Sequence, residues 1–438
     1  MNLLIVDPFM PQSYYILWGL KKYCKRIVVA NPKKGLLPRI FSYTANSRYV
    51  SKLYSVQDPL ENWEEAVFSP GNSKSVEGFI KDVLFICKKE KIDLIYPTDD
   101  FTVYILSKNQ ERFAQLGVKI PVLPITLLRQ VVDKYKIIEL AKSNNITCPK
   151  TILISDIADL DRGISQLGLP LILKRRFSSG SRGIRFIDED NRGSIKSSLG
   201  GNIQNNYILQ EFIPGKEMVY VRIYMDRAHR PAVESYVRSK RPELRIFQGK
   251  GISEETILPP EIVDKVKEFF AHLRYVGYGH VQFKTDARDN TLKLLELNPR
   301  ISQGTWAEMS LGFNAPFVNY NLFYGEDPGF SVYHRPTGIF FLYPIEDGII
   351  MIKYLIYLLK KNIYRARKFL LGKKNPLEKL PLLSELILDY LRRHILLRPS
   401  QRKYNLFLKN IIKDPLVSIS YWLAYSYIIC KKEYPHEF

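Results

Sequence analysis

A chain of 438 residues with 46% hydrophobic content can bury two or three domain cores, which excludes a disordered protein. Its four cysteines, Cys24, Cys87, Cys148 and Cys430, are scattered without CxxC or Cys/His spacing, which argues against a disulfide framework or a cysteine-held metal. The formal net charge of +21 asks for an anionic partner, and it is unevenly spread: Ser331 to Phe438 holds 19 Lys/Arg against 8 Asp/Glu, about half of the excess in a quarter of the chain.

In chain order, Met1 to Pro8 reads as an apolar strand running into a turn, without the basic stretch and cleavage site of an export signal, so a cytoplasmic location is expected. Leu3 to Val6, Arg26 to Ala30, Ile92 to Tyr96 and Val118 to Val122 read as strands, with helical spacing over Ser75 to Lys89. This alternation predicts a parallel βαβ domain over residues 1–122. No GxGxxG follows the first strand, which weakens a dinucleotide-binding reading. A second α/β region over 123–328 holds the chemical motifs, with a subdomain at about 150–213. From 329 to 438 the pattern changes to a basic, mostly helical module, with long stretches at Gly348 to Leu371, Leu382 to Leu397 and Asp414 to Lys432. No nucleic-acid motif accompanies its charge, so no specific nucleic acid is expected.

The second region carries three elements that suit a nucleotide and a metal. Pro170-Leu-Ile-Leu-Lys174 delivers a lysine at the end of an apolar strand, and Arg175-Arg-Phe-Ser-Ser-Gly-Ser-Arg-Gly183-Ile184 follows, a loop whose glycines let backbone N–H groups approach phosphate oxygens. Alone, such a loop is more often a hairpin. Tyr207-Ile-Leu-Gln-Glu-Phe-Ile213-Pro-Gly-Lys-Glu217 is an apolar strand with polar residues at its end, able to hold an adenine by its backbone and a ribose by a carboxylate, or else to serve as an edge strand. The third element joins Gln282-Phe-Lys-Thr-Asp286 to Leu292-Lys-Leu-Leu-Glu296-Leu-Asn298-Pro-Arg300 through a turn containing Asp286, Asp289 and Asn290. Gln282, Glu296 and Asn298 offer hard oxygen ligands of the kind Mg²⁺ requires, the i, i+2 spacing of the last two puts them on one face, and Arg300 shares that face. A merely structural Glu and Asn would still need partners beside an arginine.

Together these elements resemble the ATP-grasp superfamily, nearest to the branch of the carbamoyl phosphate synthetase large subunit and biotin carboxylase. The resemblance spans about 200 residues. Val132-Asp133-Lys134 looks like the family's nucleotide-contacting lysine ahead of Asn145-Ile-Thr-Cys-Pro149. Lys174 and Ser179-Gly180-Ser181-Arg182-Gly183 look like the phosphate lysine and the mobile lid, Gln210, Glu211, Phe212 and Ile213 like the adenine hinge, and Glu217 like the ribose glutamate. The lid is richer in serine than that of biotin carboxylase, and the bicarbonate residues of that enzyme have no clear counterpart. Arg238 and Lys240 lie roughly where that branch places polar groups beside the terminal phosphate, although a basic strand end is more often solvated.

The resemblance implies a pre-ATP-grasp domain, a two-lobed ATP-grasp domain, and use of ATP with Mg²⁺, or Mn²⁺ as its substitute. It implies an ATP-dependent ligase: a carboxylate is activated as an acyl phosphate at Arg300 and joined to an amine, with ADP and phosphate released. A phosphotransferase on the same fold and a non-catalytic ATP-binding protein are the alternatives. The partners expected are small carboxylates and amines, anionic or linked to peptide or sugar. Acceptor selection is expected from Ile301-Ser-Gln-Gly-Thr-Trp306 and Thr98-Asp99-Asp100, although the two aspartates equally suit a helix N-cap. Pro415 to Cys430, an uncharged run with four aromatic residues followed by Lys431 and Lys432, and the amphipathic Gly348 to Leu371 suit either peripheral binding to the inner face of an anionic membrane or packing as a lid or homodimer contact.

Overall fold

The computed structural model describes residues 1–7, 9–33, 42–59, 73–178, 183–199, 206–240, 253–325, 337–342, 400, 402–404, 412–421 and 423. The first sheet is parallel, with strand order β3-β2-β1-β4, where β1 is Asn2–Val6, β2 Arg26–Pro32, β3 Lys52–Val56 and β4 Leu94–Tyr96. Leu3, Leu4, Ile5 and Val6 are all fully buried, as expected for a central parallel strand covered on both faces. Helix Lys74–Glu90 covers one face with Val76, Phe79, Ile80, Val83, Ile86 and Cys87, and the Ser73 hydroxyl caps it by accepting from Val76 N–H.

Two sequence expectations change here. Val118 to Val122 is not a strand: only Lys119 bridges to Leu94, while the Tyr324 hydroxyl accepts from Ile120 N–H and donates to Ile120 C=O, occupying the groups a ladder would need. The half-exposed β3 went unread because its burial pattern is that of an edge strand.

The region after residue 123 forms two further sheets, antiparallel but for one edge pair of the larger. The smaller has order β5-β8-β6-β7, with β5 Thr151–Ile154, β6 Leu171–Arg175, β7 Arg185–Ile187 and β8 Tyr207–Glu211, around its own small core of Ile154, Leu160, Leu171, Leu173, Ile187 and Leu209. The larger has order β13-β12-β9-β10-β11-β14-β15, with β9 Glu217–Met225, β10 Pro231–Lys240, β11 Ser253–Thr256, β12 Gly277–Thr285, β13 Leu292–Asn298, β14 Phe340–Leu342 and β15 Arg402–Tyr404. One of its faces packs Val219, Val221, Ile223, Val281 and Phe283 on helix Val263–His272. The other carries Met218, Tyr220, Tyr224 and Tyr278 into a core shared with Leu3, Ile5 and Tyr14 of the first domain.

The basic module is therefore not purely helical: it adds β14 and β15 to the exposed side of β11, the latter pair in parallel. Leu382 to Leu397 and Gly348 to Leu371 lie outside the described residues. Of the last predicted helix, residues 415–421 are helical, and Val417 and Tyr421 are buried in the shared core. Asp414, just ahead of them, accepts from the Ser47 hydroxyl and from Arg48 N–H, so this helix docks on the first domain.

Gly279 in β12 has no room for a side chain, since a Cβ would stand 2.2 Å from Phe270 Cε1. Gly279→Ala should lower the unfolding free energy by about 1–3 kcal/mol through overpacking. Urea denaturation should show an earlier midpoint with an unchanged slope.

Candidate active site

Two lysines reach the cleft between the sheets from separate elements. Asp133 caps helix Lys134–Ser143, accepting from Tyr135 and Lys136 N–H, and takes a bidentate contact from Arg176 at 2.8 and 2.6 Å. That fork ties the helix start to the exit of β6, and Lys134 Nζ donates to the Ser178 carbonyl at 2.5 Å and to its hydroxyl at 3.2 Å. Lys174 sits near the end of β6, and its Nζ donates to Gln210 Oε1 at 2.6 Å. Neither ammonium has a carboxylate within ion-pairing distance among the described residues. Burial lowers both pKa values, that of Lys174 to about 8, against the nearby negative charge of Glu296.

Gly183 has φ +73°, as expected for a glycine-dependent turn, while Ser179, Gly180, Ser181 and Arg182 lie outside the described residues. At the proposed adenine edge, Gln210 is buried and spends its side chain on Lys174 and Thr151. Glu211 is held by Lys150 N–H, Arg288 and Lys293, Phe212 lies edge-on to Phe186, and Ile213 is buried. Arg288 and Lys293 also bind Asp286, whose carboxyl they hold far below the usual carboxylate range, so the predicted turn is an ion-paired hairpin.

The metal-type residues do come together. Gln282 lies directly opposite Glu296 across β12 and β13, and Asn298 Nδ2 donates to Glu296 Oε1 at 3.2 Å. Arg300 grips Asp100 with Nε at 2.8 Å and Nη2 at 2.7 Å. Its pKa is raised: burial acts to lower it, but Asp100, Asp99 and Glu296 outweigh that. Of the predicted aspartate pair, Asp99 is the helix N-cap and Asp100 turns into the cleft. Asp100, Tyr104, Lys134, Phe177, Ser178 and Glu296 line one cavity.

The ladder register corrects two expectations. Gln282, Tyr220 and Val237 form one cross-strand row, and Phe283, Val219 and Arg238 the next, so Arg238 occupies the face opposite Gln282. There it pairs with Glu255 at 3.0 Å and Glu217 at 3.6 Å, which occupies the charge proposed for catalysis. By the same alternation Met218, not Glu217, holds the position facing the cleft. Lys240 ends β10 opposite Glu217, and its side chain lies outside the described residues. Sequence reasoning passed over Arg222 and His280, which share the face of Gln282. The signal was available: an arginine and a histidine inside apolar strands with no evident partner.

Residues 131–304 match the family profile described as "ATP-grasp domain". This chain contains an ATP-grasp domain. It is 22% identical over 278 residues to the D-aspartate ligase of Enterococcus faecium (strain Aus0004), covering 56% of this chain and 65% of that protein. It is 22% identical over 245 residues to the carbamoyl phosphate synthase large chain of Vibrio parahaemolyticus, covering 52% of this chain and 22% of that protein. The chain thus spans less than two-thirds of one relative and about a fifth of the other. The fold matches the biotin carboxylase domain of Hydrogenobacter thermophilus 2-oxoglutarate carboxylase with a TM-score of 0.59 at 13% identity, over 77% of this chain and 73% of that one; that domain was solved with MgADP, ADP and bicarbonate.

Because Lys174 titrates near 8 in the free ATP-grasp domain, its charge must be restored when phosphate binds. Affinity for an ATP analogue should therefore fall as pH rises above 8, by up to about tenfold per unit. Calorimetry from pH 7 to 9.5 checks this, and Lys174→Arg should flatten the profile.

Proposed function

We propose that this protein is an ATP-dependent carboxylate–amine ligase that works through an acyl phosphate. The observation that carries the reading is the charge around Glu296: Lys134, Lys174 and Arg300 all feel this one carboxylate, which lines a cleft together with Phe177 and Tyr104. Such a site is incomplete without several negative charges, which the triphosphate of ATP supplies. The likeness to a D-aspartate ligase supports joining a carboxylate to an amine, and a cytoplasmic location suits ATP as substrate.

The donor set also fits Mg²⁺. Glu296, Gln282 and Asn298 offer oxygen atoms only, on one face, and no cluster of three or more His, Cys, Asp or Glu that could hold a metal occurs among the described residues. One carboxylate with two amides suits an ion that takes its remaining ligands from phosphate and water. Bound there, Mg²⁺ would polarise the phosphoryl group being transferred. Lys134 and Lys174 would exchange Ser178 and Gln210 for phosphate oxygens. Arg300, held in place by Asp100, would stabilise the charge that develops on the acyl phosphate and on its tetrahedral successor. Phe177 and Tyr104 would limit water at the intermediate.

Glu296→Gln or Asn298→Ala should leave the fold intact and reduce ADP release with pooled carboxylates and amines by about 10²-fold or more. Near-normal release in a folded Glu296→Gln protein would remove this reading. Turnover with an alcohol or phosphate acceptor instead of an amine would favour the phosphotransferase alternative.

One observation supports a peripheral membrane role as well. In the helix at 415–421 and beyond, Leu416, Ile419 and Leu423 are exposed at helical spacing while Val417 and Tyr421 are buried, and Lys431 and Lys432 follow in sequence. No helix among the described residues is long and apolar enough to cross a membrane. An apolar outer stripe near basic residues suits the headgroup region of anionic lipid. In liposome flotation at low salt, the protein should bind anionic vesicles more than neutral ones, and Leu416→Ser/Ile419→Ser should lose the difference; equal binding to both vesicles would leave the helix as an internal or dimer support.

A further inference from the structure

Beside the cavity that Lys134 and Glu296 line there is a second one, and Tyr104 and Phe177 border both. It is an open-sided hollow of about 850 Å³, within the range of roughly 300–1,000 Å³ common for small-molecule sites. Three helices build it: Asp100–Lys108 gives Tyr104, Ile125–Val131 gives Arg129, and the first turn of Lys134–Ser143 gives Tyr135 and Lys136. Arg176 and Phe177, just past the end of β6, complete its lining.

The charge of this hollow is not balanced. Its two carboxylates are already taken: Asp133 by the Arg176 fork and by the N–H groups of Tyr135 and Lys136, and Glu139 by Lys142 at 3.0 Å. Arg129 and Lys136 are exposed, and neither forms an ion pair with a carboxylate among the described residues. The charge of Arg129 also reaches Lys108, whose pKa is lowered by burial and then further by that guanidinium. Positive charges therefore repel one another at this edge of the molecule. Exposed arginines and lysines are commonly just hydrated; these two differ in lining a hollow of ligand size together with the rings of Tyr104, Tyr135 and Phe177.

The lining decides what fits. The two cations stand on different helices. A carboxylate is used up by a single guanidinium fork, whereas a phosphate monoester has three outer oxygens and up to two charges, enough for an arginine and a lysine together. The rings add apolar surface that suits a planar group. We propose that this hollow is a second ligand site, separate from that of ATP, for a phosphate monoester carrying a planar ring, with Arg129 and Lys136 on the phosphate and Tyr135 and Phe177 against the ring. The site does not depend on the ligase reading, since neither Arg129 nor Lys136 lines the catalytic cavity.

The test uses the full chain saturated with Mg²⁺ and a non-hydrolysable ATP analogue, so that the nucleotide site is filled. Phenyl phosphate is titrated by calorimetry beside phenol, which lacks the charge, inorganic phosphate, which lacks the ring, and benzoate, which carries a carboxylate on the same ring. Phenyl phosphate should bind saturably, and each of the other three about tenfold more weakly or worse. Arg129→Ala/Lys136→Ala should weaken phenyl phosphate by at least a similar factor, with the affinity for the ATP analogue held within about twofold. Both side chains are exposed, so their removal opens no core. The inference is overturned if phenyl phosphate does not bind while the analogue is bound, if inorganic phosphate or benzoate binds as well as phenyl phosphate, or if the double variant binds it unchanged. The comparison of the four probes uses the unaltered chain, so it decides even where a variant does not fold. A chain that binds phenyl phosphate in this way but releases no ADP would keep the second site and lose the ligase reading. A chain that binds no nucleotide would fail the ligase reading first, and the probes and the double variant would still decide the second site.

Discussion

Two lysines, the buried Lys134 and the half-buried Lys174, stand near one shared carboxylate, Glu296, and the organisation of the cleft follows from that imbalance. A buried lysine loses much of its hydration, and neutral oxygens return only part of it. Ser178 and Gln210 are such oxygens. They keep each amine in place without neutralising it, so that a phosphate oxygen can replace them at little cost. A carboxylate in either position would bind the lysine more tightly and compete with the nucleotide.

Holding these charges apart takes three separately stabilised pieces. The small sheet carries Lys174 on a strand whose register with β8 sets Gln210 within its reach. The capped helix at Asp133 carries Lys134, and the Arg176 fork stops that helix from drifting relative to the small sheet. The first domain contributes Asp100, whose grip on Arg300 joins the parallel sheet to the end of the metal strand. Asp100 can do this because Asp99 has already taken the capping role, leaving the first residue of the helix free to turn outward.

How much of this was legible in the sequence depends on the kind of signal. The parallel layer, the shared face of Gln282, Glu296 and Asn298, and the place of Lys174 near a strand end were readable because apolar alternation and i, i+2 spacing are local. Val118 to Val122 misled because its pattern is that of a strand, while Tyr324, some 200 residues later, decides its hydrogen bonds. Arg238 and Glu217 misled for a different reason: a strand shows only that alternate residues share a face, and which set faces the cleft is fixed by pairing with β9 and β12, which a single sequence does not reveal. β14 and β15 were hidden inside a region dominated by helical patterns, since three-residue strands carry too little periodicity to read.

The same pairing separates two jobs that the sequence left mixed. On the cleft face, successive rows run from Lys284 and Met218, through Gln282 and Tyr220, to His280 and Arg222. The first row lies near Lys174, whose pKa the charge of Lys284 helps to lower. The second carries the metal-type oxygens. The third holds a balanced ion pair with idle donors. Positive charge without its own counter-ions suits a phosphate chain, whereas the third row already holds its own carboxylates, so the two ends of one sheet face differ in charge. On the proposed ligase reading, the alternation of β9 and β12 sets the phosphate-facing cations and the metal-type oxygens in successive rows along one face.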